Sequence, residues 1–228
     1  MDLTRFEIEL TQLKGTLSKL LSEVLKMLED SISSLKNKDL VLAQKIIASD
    51  EEIDELNRQI EESVYQILAR FRPMGKDLRY AITMIKLAND LERIGDLSCN
   101  IAEKTQQYEN YDINEILETK ELKQMLNVAV DMIKGAYKAF EERDVDSAIE
   151  IWKRDDIVDA LEIEVRKRAI NRLSDPDFSQ ELVVPYILLA RDIERIADHA
   201  TNLCEELVYI EIGREILYIV REEQENKK

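Results

Sequence analysis

The chain repeats itself. Asp90-Leu91-Glu92-Arg93-Ile94-Gly95-Asp96 returns as Asp192-Ile193-Glu194-Arg195-Ile196-Ala197-Asp198, and Asn100 and Glu103 return as Asn202 and Glu205, each 102 residues on. A second pair, Asp50…Ile53-Asp54 and Asp155…Val158-Asp159, recurs 105 residues apart. Spacings close to half of the 228-residue chain mark a duplicated unit. We expect two copies of one domain, residues 1–111 and 112–228. Both copies keep polar as well as apolar positions, and packing alone would need only the apolar ones.

The apolar positions follow a helical period almost without interruption. Phe6, Leu10, Leu13, Leu17, Val24, Leu28 and Leu35 mark a first helix over about 3–36. Asp39 is placed to cap a second, about 40–71, with Ile46, Ile53, Leu56, Ile60 and Val64 in register. After Arg72-Pro73-Met74-Gly75, a third runs over about 76–108. The second half repeats the plan: helices over about 114–142 and 147–173, a turn at Ser174-Asp175-Pro176-Asp177, and a helix from near Ser179 to beyond 205. Pro185 should kink or delay the start of that last helix, and the tail Glu222–Lys228 should fray. Only 5 Gly and 3 Pro interrupt the chain. Long helices joined by short loops lie antiparallel. The predicted fold is therefore all-α, two tandem pseudo-symmetric three-helix bundles.

On the third helix, Leu87, Leu91, Ile94, Ser98 and Ile101 form the core stripe. Asn89, Glu92, Asp96, Asn100 and Glu103 then fall on its side or back at about 100° per residue. On the second helix, Asp50 and Asp54 flank the apolar stripe. Two neighbouring helices can thus bring Asp50, Asp54, Glu92 and Asp96 together, with Asn100 near. The second half can do the same with Asp155, Asp159, Glu194, Asp198 and Asn202. Carboxylates four apart on a helix repel. A bound cation with a taste for oxygen ligands would compensate that repulsion. Arg93 and Arg195 offer the competing explanation, structural ion pairs, and a single Glu-xxx-Asp in an acidic helical chain is usually a solvated face.

Other chemistries are harder to place. The only histidine, His199, has no Glu three residues before it, against a di-iron pair of the Glu-xx-His kind. It reads as a satisfied helix histidine. Cys99 and Cys204 occupy different repeat positions, form no metal-type pair and read as buried small hydrophobes. Trp152 and the tyrosines read as packing residues. No phosphate loop or nucleophile elbow is present, so no catalytic residue is expected. A net charge of −16 argues against nucleic acid and against an electrostatic membrane role. No apolar run approaches the roughly 20 residues of a membrane span, and no signal peptide is evident. A cytoplasmic location is the expectation.

Pro73, Asp77-Leu78-Arg79, the segment Asp90–Asp96 and Asn100-Ile101-Ala102-Glu103 closely resemble the PhoU family, as does Asp192–Asn202, over nearly the whole chain. Ala197 departs from the family's usual Gly and Leu97 from a frequent His. The resemblance implies a cytoplasmic accessory protein and negative regulator of phosphate uptake. It would link the ATPase of a phosphate ABC transporter to a membrane sensor kinase and damp phosphate-starvation signalling. It also implies metal clusters at the acidic motifs, iron first, with zinc, manganese or magnesium as alternatives, and a homodimer. Two other readings stay open: a metal-dependent enzyme or iron-handling protein using the same carboxylates, and a helical scaffold whose acidic ladders only solubilise it.

Overall fold

The computed structural model describes residues 3–174 and 178–225. Three long helices build the first bundle: α1 (Leu3–Asn37), α2 (Leu40–Phe71) and α3 (Lys76–Gln107). The second bundle contains α4 (Asn114–Leu117), α5 (Lys120–Glu142), α6 (Val145–Trp152), α7 (Asp155–Arg172), α8 (Val183–Ile212) and α9 (Ile216–Glu225), with a 3-10 turn, Gln180–Leu182, ahead of α8. No strand occurs among the described residues.

The duplication extends to the turns. Asp39 caps α2 by accepting from the Leu42 amide at 3.0 Å, and Asp144 caps α6 from the Ser147 amide at 3.1 Å. Each cap follows a residue in the left-handed region, Lys38 (φ 54) and Arg143 (φ 57). These pairs also lie 105 residues apart. A side-chain acceptor on a free first-turn amide typically stabilises a helix by about 1 kcal/mol.

The second half departs from the expected three helices. Thr119 is extended (ψ 145) and divides the segment expected as one helix over 114–142 into α4 and α5; its hydroxyl donates back to the Ile116 carbonyl at 2.7 Å. The segment expected over 147–173 divides at Lys153 and Arg154, but more gently. Both residues keep helical dihedrals, and the Arg154 amide bonds to Ile151, three residues back. One turn is tightened and the chain does not reverse. The last bundle helix starts at Val183, later than expected. Pro185 sits in its first turn, where its missing amide hydrogen costs nothing. Gly213, left-handed at φ 77, ends α8. The chain then forms α9, which begins ahead of the tail expected to fray from Glu222 and continues into it as far as Glu225. Ile216 and Val220 bury one face of α9, and Arg214 pairs with Glu222 at 2.6 Å. The expected turn at 175–177 and the final residues 226–228 lie outside the described residues.

Helices α3 and α8 each bury a long apolar stripe in the core. Leu91, Ile94, Ile101, Leu189, Ile196 and Leu203 are all essentially inaccessible to water. The two helices also pack on each other, so one apolar core runs through both bundles. Polar groups line the seam. Lys104 of α3 meets Asp192 of α8 at 2.7 Å, with both side chains nearly buried. Asp90 of α3 accepts from the Asn202 amide at 2.9 Å and lies 2.9 Å from His199 Nδ1. The duplicated Asp90 and Asp192 therefore serve the joint between bundles. This holds the two outer flanks, α2–α3 and α7–α8, in fixed relation.

Candidate metal centre

Each flank carries a carboxylate cluster because one helix pair approaches closely there. Gly95 of α3 faces Ile53 of α2, and a Cβ built on it would lie 3.3 Å from Ile53 Cγ2. The repeat puts Ala197 at the position of Gly95 and Val158 at that of Ile53. One methyl more on α8 is thus matched by one carbon fewer on α7, and the departure Ala197 is accommodated. Asp96 and Asp54 follow Gly95 and Ile53 directly in sequence, so this contact carries the carboxylates toward one another.

In the first cluster, Asp50, Asp54, Glu92 and Asp96 interact. Burial raises the Asp50 carboxyl above its ordinary value, and the charges of Asp96 and Asp54 push it further. Burial and Asp96 likewise raise Glu92; Arg93 opposes, and Asp54 and Asp50 add to the shift. Arg93 reaches Asp96 at 2.9 Å and Glu92 at 3.5 Å, so the competing ion pairs form. That guanidinium is 60% exposed, which limits its compensation. Cys99 Sγ lies 3.6 Å from Asp50 Oδ1; burial and that carboxylate push the thiol up to about 12.

In the second cluster the upward shift is larger. Burial raises Asp155 to about 7, with Asp159, Asp198 and Glu194 adding to the effect. Burial, Asp198 and Asp159 raise Glu194. Burial and Asp159 raise Asp198, against the opposing charges of His199 and Arg195. Asp155 Oδ1 is buried with no hydrogen-bond partner. A buried carboxylate oxygen without a donor costs about 1–3 kcal/mol.

Not every expected residue joins a cluster. Asn202 gives its amide to Asp90 at the seam. Asn100 stands exposed one turn beyond Asp96. Asn89 accepts from Asn57 at 3.1 Å, and Glu205 accepts from Trp152 Nε1 at 3.0 Å, so Trp152 does more than pack. His199 is satisfied at the seam, and both cysteines are buried and free. Glu162, absent from the expected set, adds a fifth carboxylate. It raises Glu194 from one turn beyond Asp159 while pairing with Arg166. Its signal was the spacing 155–159–162 on one helical face, and its first-half counterpart is the neutral Asn57.

Among the described residues, no three His, Cys, Asp or Glu side chains stand in position to grip a metal ion together. The donor chemistry nonetheless fits a hard cation. Each cluster offers four like-charged carboxylates from two rigidly packed helices, and the second holds an oxygen without a partner.

The PhoU domain family matches residues 17–105 and again residues 122–207. The chain belongs to the PhoU family. It is 49% identical over 222 residues to the phosphate-specific transport system accessory protein PhoU homolog 1 of Thermotoga maritima, covering 97% of this chain and 95% of that one. A PhoU homolog of the same description from Clostridium acetobutylicum is 32% identical over 77% of this chain and 80% of its own. The crystal structure of the phosphate transport system regulatory protein PhoU from Streptococcus pneumoniae superposes with a TM-score of 0.82 at 30% identity, covering 92% of this chain and 98% of that one. PhoU from Pseudomonas aeruginosa gives 0.81 at 29%, covering 92% and 100%. The fold inferred from the repeats is the fold of this family.

Proposed function

We propose that this protein is a regulatory accessory component of a phosphate transport system. It would act as a rigid two-bundle adaptor that lowers phosphate uptake and damps the starvation response. The observation that carries this reading is the 49% identity to a relative of that description over nearly the full length of both chains. Its partners would be the ATPase of a phosphate ABC transporter and a membrane sensor kinase, met by protein contacts at the cytoplasmic face. No helix among the described residues is long and apolar enough to cross a membrane.

The two flanks would hold metal ions, iron first, through Asp50, Asp54, Glu92 and Asp96, and through Asp155, Asp159, Glu194 and Asp198. The raised carboxyls and the unpartnered Asp155 oxygen support this assignment. A bound cation would supply positive charge where each half has concentrated negative charge, tying α2 to α3 and α7 to α8. We assign it no catalytic step. The alternative, a metal-dependent enzyme or iron-handling protein on the same carboxylates, has no specific observation in its favour.

The test is co-purification of the full chain with the transporter's ATPase subunit and with the sensor kinase, coupled to deletion of the gene in cells. Complex formation with either partner, together with derepressed phosphate uptake in the deletion strain, is expected. No complex and unchanged uptake would overturn the adaptor reading.

A further inference from the structure

The two carboxylate flanks are not chemical copies of each other. In the first, Cys99 stands on α3 between Asp96 and Glu103, one turn from each, and its Sγ lies 3.6 Å from Asp50 Oδ1. The repeat puts Thr201 at that position in the second flank. Thr201 turns its hydroxyl away, to the Asp198 carbonyl at 2.7 Å. The Asp155 carboxylate, counterpart of Asp50, keeps a buried oxygen with no partner. Glu162 is a further difference, since its first-half counterpart is Asn57. One flank therefore sets four carboxylates beside a thiol, and the other gathers five carboxylates and no sulfur.

The duplicated packing frame does not require that thiol, because the second bundle folds with a threonine there. The other cysteine, Cys204, is wholly buried in the apolar core, whereas Cys99 keeps 9% exposure at the edge of the carboxylates. The distance also has a chemical meaning. A zinc-sized ion takes thiolate sulfur at about 2.3 Å and carboxylate oxygen at about 2.0–2.2 Å, and a tetrahedral angle then sets the two donors about 3.5–3.7 Å apart. Cys99 and Asp50 already stand at that separation. Thiolate ligands select zinc and related thiophilic ions, and an all-oxygen set suits manganese and magnesium.

We propose that the first flank is a mixed sulfur–oxygen site for a thiophilic divalent ion of the zinc or iron(II) class, ligated by Cys99 with Asp50 and Asp96, and that the all-oxygen second flank takes a harder ion of the manganese class. This rests on the metal reading of the flanks and gives each half its own ion. On binding, the Cys99 S–H bond breaks, the sulfur joins the ion as thiolate and the proton passes to solvent.

The experiment uses the full chain, stripped of metal and kept reduced without added thiol. Cobalt(II) is the first probe, because thiolate bound to cobalt gives a near-ultraviolet charge-transfer band that oxygen ligands do not. The wild type should develop the band. Cys204→Ser should keep it and Cys99→Ser should lose it. Calorimetry with zinc and with manganese is the second readout. Losing a group behind a ligand typically costs about 10–100-fold in metal affinity. Cys99→Ser loses the ligand itself, so it should weaken zinc by about tenfold or more and leave manganese unchanged. Asp155→Asn combined with Asp159→Asn should do the reverse, weakening manganese and keeping the band. If Cys99→Ser fails to fold, the wild-type spectrum and Cys204→Ser still decide, since the chain has only 2 cysteines. Cobalt bound without the band, a band that survives in Cys99→Ser, zinc affinity unchanged in that variant, or manganese affinity unchanged in the double variant would overturn the proposal and leave the carboxylate sites standing. No metal bound at either flank would overturn both.

Discussion

Neutralising Asp155 should make the metal-free protein more stable. Its carboxyl is raised from 3.8 to about 7 by burial and by Asp159, Asp198 and Glu194. A raised acid in the folded state contributes its full relative stability only below the unfolded value, and that stability is lost as pH rises through about 7. Taken at face value the gap corresponds to about 4 kcal/mol at pH 8. The side chain is only partly buried, and solvent screening reduces that to about 2 kcal/mol. Asp155→Asn removes the charge, keeps the shape and adds an amide that can donate to a neighbouring carboxylate. Urea unfolding in chelator should show the variant ahead by about 1 kcal/mol at pH 5 and about 2 kcal/mol at pH 8, with an unchanged denaturant slope. In melting temperature the pH 8 gain is about 4–8 °C. Loading with metal should reverse the order, because a ligand that binds only the folded state stabilises the protein that can hold it. A variant that is less stable in chelator, or a gain that does not grow with pH, would refute the account of mutual carboxylate repulsion.

Breaking the buried pair at the seam with Lys104→Ala leaves Asp192 without its cation and should cost about 3 kcal/mol in chemical denaturation; an effect below about 0.5 kcal/mol would show the pair to be idle. Asp144→Ala removes the α6 cap and should cost about 1 kcal/mol, read as a lower urea midpoint. Gly95→Ala meets Ile53 at 3.3 Å, so helix propensity and crowding oppose each other. Adding Ile53→Val reproduces the pairing of Ala197 with Val158, and the double-mutant cycle should show favourable coupling of about 0.5–1 kcal/mol. Strict additivity would mean the two helices do not constrain each other there.

The repeats made the fold legible because they fixed both polar and apolar registers. Asp39 announced its cap, and Leu91, Ile94, Leu189 and Ile196 announced the core. What escaped was decided by single residues acting against a periodic background. Thr119 breaks a helix whose apolar spacing runs straight through it. The tightened turn at Lys153 and Arg154 leaves no mark in a period-3.6 pattern, since its dihedrals stay helical. Helix α9 was signalled by Gly213 and the Ile216–Val220 spacing, but a run of charged residues hid it.

At the flanks, periodicity alone grouped Asp50, Asp54, Glu92 and Asp96, and separately Asp155, Asp159, Glu194 and Asp198, and these do interact. It could not separate residues on the edge of a helical face. Asn202 shares its face with Asp198 on paper, yet it gives its amide to Asp90 across the seam. Which neighbour claims an edge residue depends on the packing of α3 against α8, and a one-dimensional pattern does not contain that. Glu162 escaped for the opposite reason, because its counterpart Asn57 carries no charge and the search for repeats passed over it.

The central claim is that the doubled carboxylate clusters are cation sites. The most direct test is the metal content, by mass spectrometry, of protein purified without added metal or a polyhistidine tag. It should be measured beside a variant with Glu92, Asp96, Glu194 and Asp198 all changed to alanine. The account predicts bound transition metal in the wild type and its loss in the folded variant. No metal in either protein, even after loading with iron, zinc or manganese, would contradict it.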